Sequence, residues 1–207
     1  MANQTPQTST QRLRQTRFFT SIASTRQLSH SSQSEIAILG RSNSGKSTLI
    51  NAICDHKGLA KTSGRPGSTQ LINFFQVTQE TFLVDFPGYG YAKIGGKQRM
   101  NISHLMSDYF ACDRPLRGIL ICMDSRHPLK PIDLEIINWE QTLSVPKCVI
   151  LTKSDKLSRH QQRQTLQTVD NFCCQLDIPV MLFSSHTKLG QELLCEHIIK
   201  WLDWHGD

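Results

Sequence analysis

Gly40-Arg41-Ser42-Asn43-Ser44-Gly45-Lys46-Ser47-Thr48 is the stretch on which the fold of this chain turns. It follows Glu35-Ile36-Ala37-Ile38-Leu39, an apolar run of strand length, and leads into Ser47 to Cys54, where apolar residues recur at helical spacing. Strand, Gly-x-x-x-x-Gly-Lys-Ser, helix is the order of a phosphate-binding loop. Gly40 and Gly45 permit the backbone to curl until successive N–H groups point at phosphate oxygens beside the positive end of the helix. Lys46 then reaches the β- and γ-phosphates, and the Ser47 hydroxyl takes Mg²⁺. An ordinary Gly/Ser turn with a surface lysine is the competing reading, and the strand and helix on either side weigh against it.

Working outward, Lys57 to Ser68 is polar and broken by Gly58, Gly64, Pro66 and Gly67, which predicts a mobile loop. Leu71 to Val77 and Thr81 to Val84 are strand-like runs at hairpin spacing. Helix and strand signals then alternate. Helices are expected near Lys97 to Phe110, Pro131 to Leu143, Ser158 to Cys174 and Gln191 to Trp204; strands are expected at Gly118 to Met123, Lys147 to Leu151 and Val180 to Phe183. The pattern predicts an α/β fold with a mostly parallel sheet of six or seven strands, one of them antiparallel, and helices on both faces. Ligands then belong at the carboxyl ends of the strands.

Composition narrows the class. The 207 residues include 38% hydrophobic side chains, enough for a real core, and no run of 18 apolar residues that could span a bilayer. Seven cysteines at 54, 112, 122, 148, 173, 174 and 195 contain no C-x-x-C pair and sit mostly in apolar segments, the pattern of reduced, buried thiols. The net charge is +6, and residues 1–34 hold Arg12, Arg14, Arg17 and Arg26 with no acidic residue, leaving 19 basic against 17 acidic side chains afterwards. A targeting peptide, a flexible basic tail, and a tail followed by a first strand compete for this leader. Phe18-Phe19-Thr20-Ser21-Ile22 favours the third, with a flexible tail over 1–15, a single domain over 16–207 and an edge strand starting it.

Two further strand ends select the nucleotide. Asp85-Phe86-Pro87-Gly88 follows the second hairpin strand, where the carboxylate can hold the Mg²⁺ shell through water and the Gly88 N–H can approach the γ-phosphate. Thr152-Lys153-Ser154-Asp155 closes the Lys147 to Leu151 strand, and a carboxylate there can accept the N1 and N2 donors of guanine, a pair that adenine lacks. Lys153 lies along the base and meets the phosphate loop. Ser184-Ser185-His186 ends the Val180 to Phe183 strand and offers backbone N–H groups to guanine O6, which puts Phe183, Ser184 and Ser185 in the GTP-binding set. Each tetrapeptide alone is an ordinary turn; in this order they point to GTP and GDP. A P-loop kinase or ATPase acting on a small molecule is the alternative, disfavoured by Asp155 and by the lack of an evident lid. A nearly inactive GTP-binding adaptor is also compatible with the motifs.

These elements resemble the Ras-like, translation-factor-related P-loop GTPases. Within them, the phosphate loop, Gly67-Ser68-Thr69-Gln70-Leu71-Ile72-Asn73-Phe74-Phe75 and Asp85-Phe86-Pro87-Gly88-Tyr89-Gly90-Tyr91-Ala92 are similar to the bacterial EngB (YihA/YsxC) family over residues 16–204. The resemblance implies GTP binding with slow hydrolysis, a role in assembling the large ribosomal subunit, a link to cell division and septation, and a cytoplasmic bacterial protein, expected as a monomer without membrane attachment. Carried over by motif, Gly67, Ser68 and Thr69 join the GTP-binding set, and Thr69 is the switch threonine that ligates Mg²⁺. Residues 58–68 are switch I and 88–96 switch II. Lys46, Thr69 and Gly88 are the catalytic set. Tyr89 stands where Ras-type enzymes place the glutamine that orients the attacking water, so intrinsic turnover is expected to be slow. Asn43, three residues before Lys46, recurs in potassium-dependent relatives; it is read equally as a K⁺ ligand and as a residue that orients the loop.

Lys57, Lys61, Arg65, Lys93, Lys97 and Arg99 are opposed over that stretch only by Glu80 and Asp85, which suits ribosomal RNA, although scattered charges are ordinarily a solvated surface. None of the eight histidines has metal-ligand spacing, and His127 and His186 are read as bystanders. Trp201 and Trp204 are read as core anchors.

Overall fold

The structure, a computed structural model, describes residues 8–28, 31–61, 71–89, 96–140 and 144–203, without the side chains of 97–99 and 139–140. Its strands are β1 (Arg17–Ile22), β2 (Ser34–Gly40), β3 (Ile72–Gln76), β4 (Thr81–Asp85), β5 (Leu116–Asp124), β6 (Lys147–Thr152) and β7 (Val180–Leu182). Its helices are α1 (Ser9–Arg14), α2 (Lys46–Ile53), α3 (Gly96–Ala111), α4 (Pro131–Glu140), α5 (Arg159–Cys173) and α6 (Gln191–Leu202). They form one seven-stranded sheet in the order β1-β3-β4-β2-β5-β6-β7. β4, β2, β5, β6 and β7 pair in parallel, while β3 runs antiparallel to both β1 and β4. The expected fold class is therefore observed, with β1 at the edge and β3 as the single reversed strand.

Alternation along the central strands builds two cores. Ile36, Ile38, Leu120, Cys122, Cys148 and Ile150 face a cluster completed by α1, α2 and α6; Ala37, Leu39, Ile119, Ile121, Val149 and Leu151 face one completed by α3, α4 and α5. Successive strand side chains point to opposite faces, so a fully apolar strand must be covered on both sides, and it is. Five cysteines are buried, Cys112 is partly exposed and Cys174 is exposed; burial pushes the Cys54, Cys122 and Cys148 thiols up to about 12, which makes them inert. Trp201 packs against the core facing α2 and α6, its ring occupying the space beside Gly118 where a Cβ would be 2.0 Å away, as expected of an anchor; Trp204 lies outside the described residues.

The expectation of a flexible tail over 1–15 is corrected for residues 8–15. Thr8 caps α1 through a reciprocal box with Gln11, Leu13 is fully buried, and Arg12 donates to Asp203 just beyond α6 at 2.7 Å. One apolar residue in a Gln/Thr/Arg-rich stretch was too little for a periodicity reading, and the capping box was the available signal. The Lys57 to Ser68 loop is described only as far as Lys61, and residues 141–143 of the expected fourth helix lie outside the described residues.

Candidate functional site

Because β2, β4, β5, β6 and β7 run parallel, their carboxyl ends converge on one rim of the sheet. The loop after β2 sits at the middle of that rim. Gly45 turns it into α2 at φ 97°, a left-handed value, and a Cβ there would lie 3.1 Å from the Thr152 hydroxyl. Among the described residues no side chain caps α2, so the N–H donors of its first turn face the concavity, where they suit an anion. The Ser44 hydroxyl is buried there without a hydrogen-bond partner among the described residues.

The β4 end closes on this loop. Gly88 approaches so near that a Cβ would lie 2.8 Å from Ser42 Cα, and the Ser42 N–H donates to the Tyr89 carbonyl at 2.9 Å. Tyr89 pairs as an isolated parallel bridge with Arg41, and its side chain is buried in the core beneath α3. Asp85 is buried beside Lys46, with one carboxylate oxygen unpartnered among the described residues and the other 3.5 Å from Asn73 Nδ2. Burial pushes the Asp85 carboxyl above its ordinary value, opposed by the Lys46 charge and the Asn73 bond. An orphaned buried oxygen next to an ammonium and a hydroxyl-bearing loop fits a hydrated divalent cation.

The β6 end ties residues 152–155 to the same loop. Thr152 Oγ1 donates to the Ser44 carbonyl, and Lys153 Nζ donates to the Asn43 carbonyl at 2.6 Å and to Asp124 at 2.9 Å. Ser154 is buried and donates to the Phe183 carbonyl at 3.0 Å. The Ser184 hydroxyl donates to Asp155 at 2.7 Å and is the main reason the Asp155 carboxyl lies below its ordinary value. Asp155 is thereby held ionised, the state that accepts from an N–H pair.

The structure thus gathers residues 40–48, 85–88, 152–155 and 183–185 on one rim. Arg41, Phe86 and Phe183 do not present their side chains to it: Arg41 turns onto Asp133, Phe86 packs on Tyr109 and Phe110, and Phe183 enters the core facing α2 and α6. Any ligand contact from them is through main chain. Thr48 and Ser185 are exposed on it. Gly67, Ser68 and Thr69, most of switch I, residues 90–95 of switch II, and Arg65 and Lys93 lie outside the described residues, as do the side chains of Lys97 and Arg99. Lys57 and Lys61 are exposed. His127 contributes only its backbone, accepting from Arg41 at 2.8 Å.

Sequence reasoning missed Asp124, Arg126, Asp133 and Asn73. Asp124 could have been found by position, since it ends β5 on the rim. Asn73 could have been found as a polar residue within an apolar strand; it also accepts from Ser21 of β1 at 2.6 Å.

Among the described residues, no helix is long and apolar enough to cross a membrane. The family model described as 50S ribosome-binding GTPase matches residues 35–153, more than half the chain. A probable GTP-binding protein EngB of Aromatoleum aromaticum is 43% identical over 196 residues, covering 94% of this chain and 91% of that protein. One from Mannheimia succiniciproducens is 40% identical over 188 residues, covering 90% and 92%. In three dimensions, a crystal structure of a probable GTP-binding protein engB superposes with a TM-score of 0.63 at 20% identity, covering 81% of this chain and 98% of that one. Era of Aquifex aeolicus bound to GDP and aluminium fluoride gives 0.65 at 22%, covering 84% and 58%. These matches set aside the small-molecule kinase alternative: the chain belongs to the EngB family of P-loop GTP-binding proteins, enzymes that hydrolyse GTP.

Proposed function

We propose that this chain is a guanine-nucleotide switch acting in assembly of the large ribosomal subunit, with the family's link to cell division and septation, as a monomer in the bacterial cytoplasm. The observation that carries the nucleotide reading is the joining of an ionised, Ser184-held Asp155 to the phosphate loop through Thr152 and Lys153. A base reader and a phosphate cradle fixed to one another measure a single ligand end to end.

In this reading residues 40–48 wrap the phosphates with Gly67 and Ser68, Lys46 neutralises charge on the β- and γ-oxygens, and the Gly88 N–H meets the γ-phosphate. Ser47 and Thr69 would hold Mg²⁺, with Asp85 holding it through water; bound there, the ion would neutralise phosphate charge. Asp155 reads guanine N1 and N2, Ser184 and Ser185 line O6, and Thr152 and Ser154 hold that motif in place. Hydrolysis breaks the bond between the γ-phosphorus and the β–γ bridging oxygen as water adds, leaving GDP and phosphate. Tyr89 is buried, and no amide stands in its place to orient that water, which supports slow turnover without a partner or a monovalent cation. A K⁺ ion at Asn43 belongs to the same proposal.

The ribosomal part is supported by the description of the matched family model and by the basic residues near the switches. Contact with ribosomal RNA through them would be salt-sensitive. Neutralising Lys93, Lys97 and Arg99 is expected to weaken binding to large-subunit precursors and flatten its salt dependence; unchanged binding and slope would remove this surface from the proposal. The nucleotide part is tested by titrating GDP, GTP, ATP and xanthosine diphosphate onto the wild type and Asp155→Asn. A switch from guanine to xanthine preference is expected, and preference for ATP would overturn the reading.

A further inference from the structure

The turn that follows β5 grips the phosphate loop from outside at two points. At one, the His127 carbonyl accepts from Arg41; at the other, Asp124 holds Lys153, whose ammonium reaches the Asn43 carbonyl. Arg126 is the residue of this turn with no role yet. Its backbone N–H donates to Asp124 Oδ1 at 3.1 Å, folding the turn back on the carboxylate. Its guanidinium then engages both oxygens, Nε to Oδ1 at 2.9 Å and Nη2 to Oδ2 at 2.7 Å. This fork fixes the carboxylate plane and leaves Oδ2 aimed at Lys153 Nζ.

Lysine is a poor candidate to hold itself. Its stem is flexible, its ammonium can point anywhere on a cone, and freezing it costs rotamer entropy at the moment of binding unless something has frozen it beforehand. Resting on the reading that Lys153 and Asp155 hold the base, we propose that Arg126 is a positioning residue for the guanine nucleotide, acting through Asp124 to pre-order Lys153 between the base site and the phosphate loop. The chain of contacts is Arg126, Asp124, Lys153, Asn43. Hydrogen bonds from Arg126 and Lys153 outweigh burial and keep the Asp124 carboxyl well below the usual range, so this tether stays charged at every working pH.

A double-mutant cycle with the full-length protein tests it, reading the GDP dissociation constant in Mg²⁺ and the preference for GDP over inosine diphosphate. Arg126→Gln is expected to raise the GDP constant about tenfold, the scale of one lost charged hydrogen bond. In a Lys153→Ala background the same change is expected to do nothing further, and Arg126→Lys is expected to recover part of the loss. An equal factor in both backgrounds would mean that Arg126 acts independently of Lys153 and would overturn the inference, as would an unchanged constant in Arg126→Gln. If Lys153→Ala alone leaves GDP binding intact, the base-site reading fails first and takes the inference with it. Should Arg126→Gln not fold, Asp124→Asn, which keeps the size of the side chain, replaces it in the cycle with the same expected pattern.

Discussion

The guanidinium of Arg41, a residue inside the phosphate-loop motif, points out of the loop and pairs with Asp133, a carboxylate with no exposed surface, at 2.9 Å. The Lys130 N–H donates to the other Asp133 oxygen at 3.0 Å, so the pair fastens the loop to the start of α4. Removing one partner of such a pair strands a buried charge. Arg41→Ala is therefore expected to cost about 3 kcal/mol of stability in denaturant unfolding. Its effect on GDP affinity is expected to be smaller than on stability. The reverse order would mean that the side chain addresses the phosphates after all.

Ser184 does for Asp155 what Arg126 does for Asp124: it fixes a carboxylate that must be presented ionised. Its own hydroxyl is also the acceptor for the His186 and Thr187 N–H groups, both at 3.2 Å, so the loop after β7 is organised around it. Ser184→Ala is expected to lower GDP affinity about tenfold, with a loss of preference over inosine diphosphate, whereas Ser184→Thr retains both. Isothermal titration against the two nucleotides distinguishes this from a general loss of fold.

The sheet, its order of elements and four of the motifs on its rim were legible because they are local: a strand, a turn of fixed spacing and a helix carry their own periodicity and punctuation. What escaped reading was non-local. Asp133 meets Arg41 from a separation of 92 residues, and Asp124 meets Lys153 from 29, so neither pair has a spacing that a sequence can display. Helix α1 escaped for a different reason, since its stability comes from one buried leucine, an ion pair to residue 203 and a capping box rather than from an amphipathic stripe. Phe86 and Phe183 were read as site residues by their place in motifs, yet each is the point where a motif is nailed into a core.

Asp85 carries a pH prediction. Its folded carboxyl lies above the ordinary 3.8, so in the free protein its contribution to stability is present below that value and is lost as pH rises through the raised one. A divalent cation favours the ionised form. Mg²⁺-dependent GDP affinity is therefore expected to climb as pH rises toward the raised value and to level off above it, with proton uptake by the buffer across the climb. Titrations in buffers of different ionisation enthalpy read that proton directly. Asp85→Asn is expected to abolish both the climb and the proton release; a climb that survives in this variant belongs to another group.

Asn43 gives its carbonyl to Lys153 while its side chain stands exposed at the loop. If that side chain holds K⁺, GTP turnover is faster in KCl than in NaCl at equal ionic strength, and Asn43→Ala removes the difference. Equal turnover of the wild type in the two salts assigns Asn43 to the loop alone.

Gly88 and Ser42 separate chemistry from binding. A methyl group on Gly88 would sit 2.8 Å from Ser42 Cα and 2.9 Å from Ser42 N, both backbone atoms that cannot swing aside. In Gly88→Ala the segment must lift, breaking the 2.9 Å bond from the Ser42 N–H to the Tyr89 carbonyl and withdrawing the residue 88 N–H from the γ-phosphate position. GDP has no γ-phosphate and loses little. The expected result is about a hundredfold drop in single-turnover GTP hydrolysis, the usual cost of one misplaced donor to developing charge. GDP affinity is expected to change less than about threefold, and stability to fall by about 2 kcal/mol from overpacking. Equal losses of GDP affinity and turnover would show that the contact shapes the loop as a whole and is not specific to the γ-phosphate.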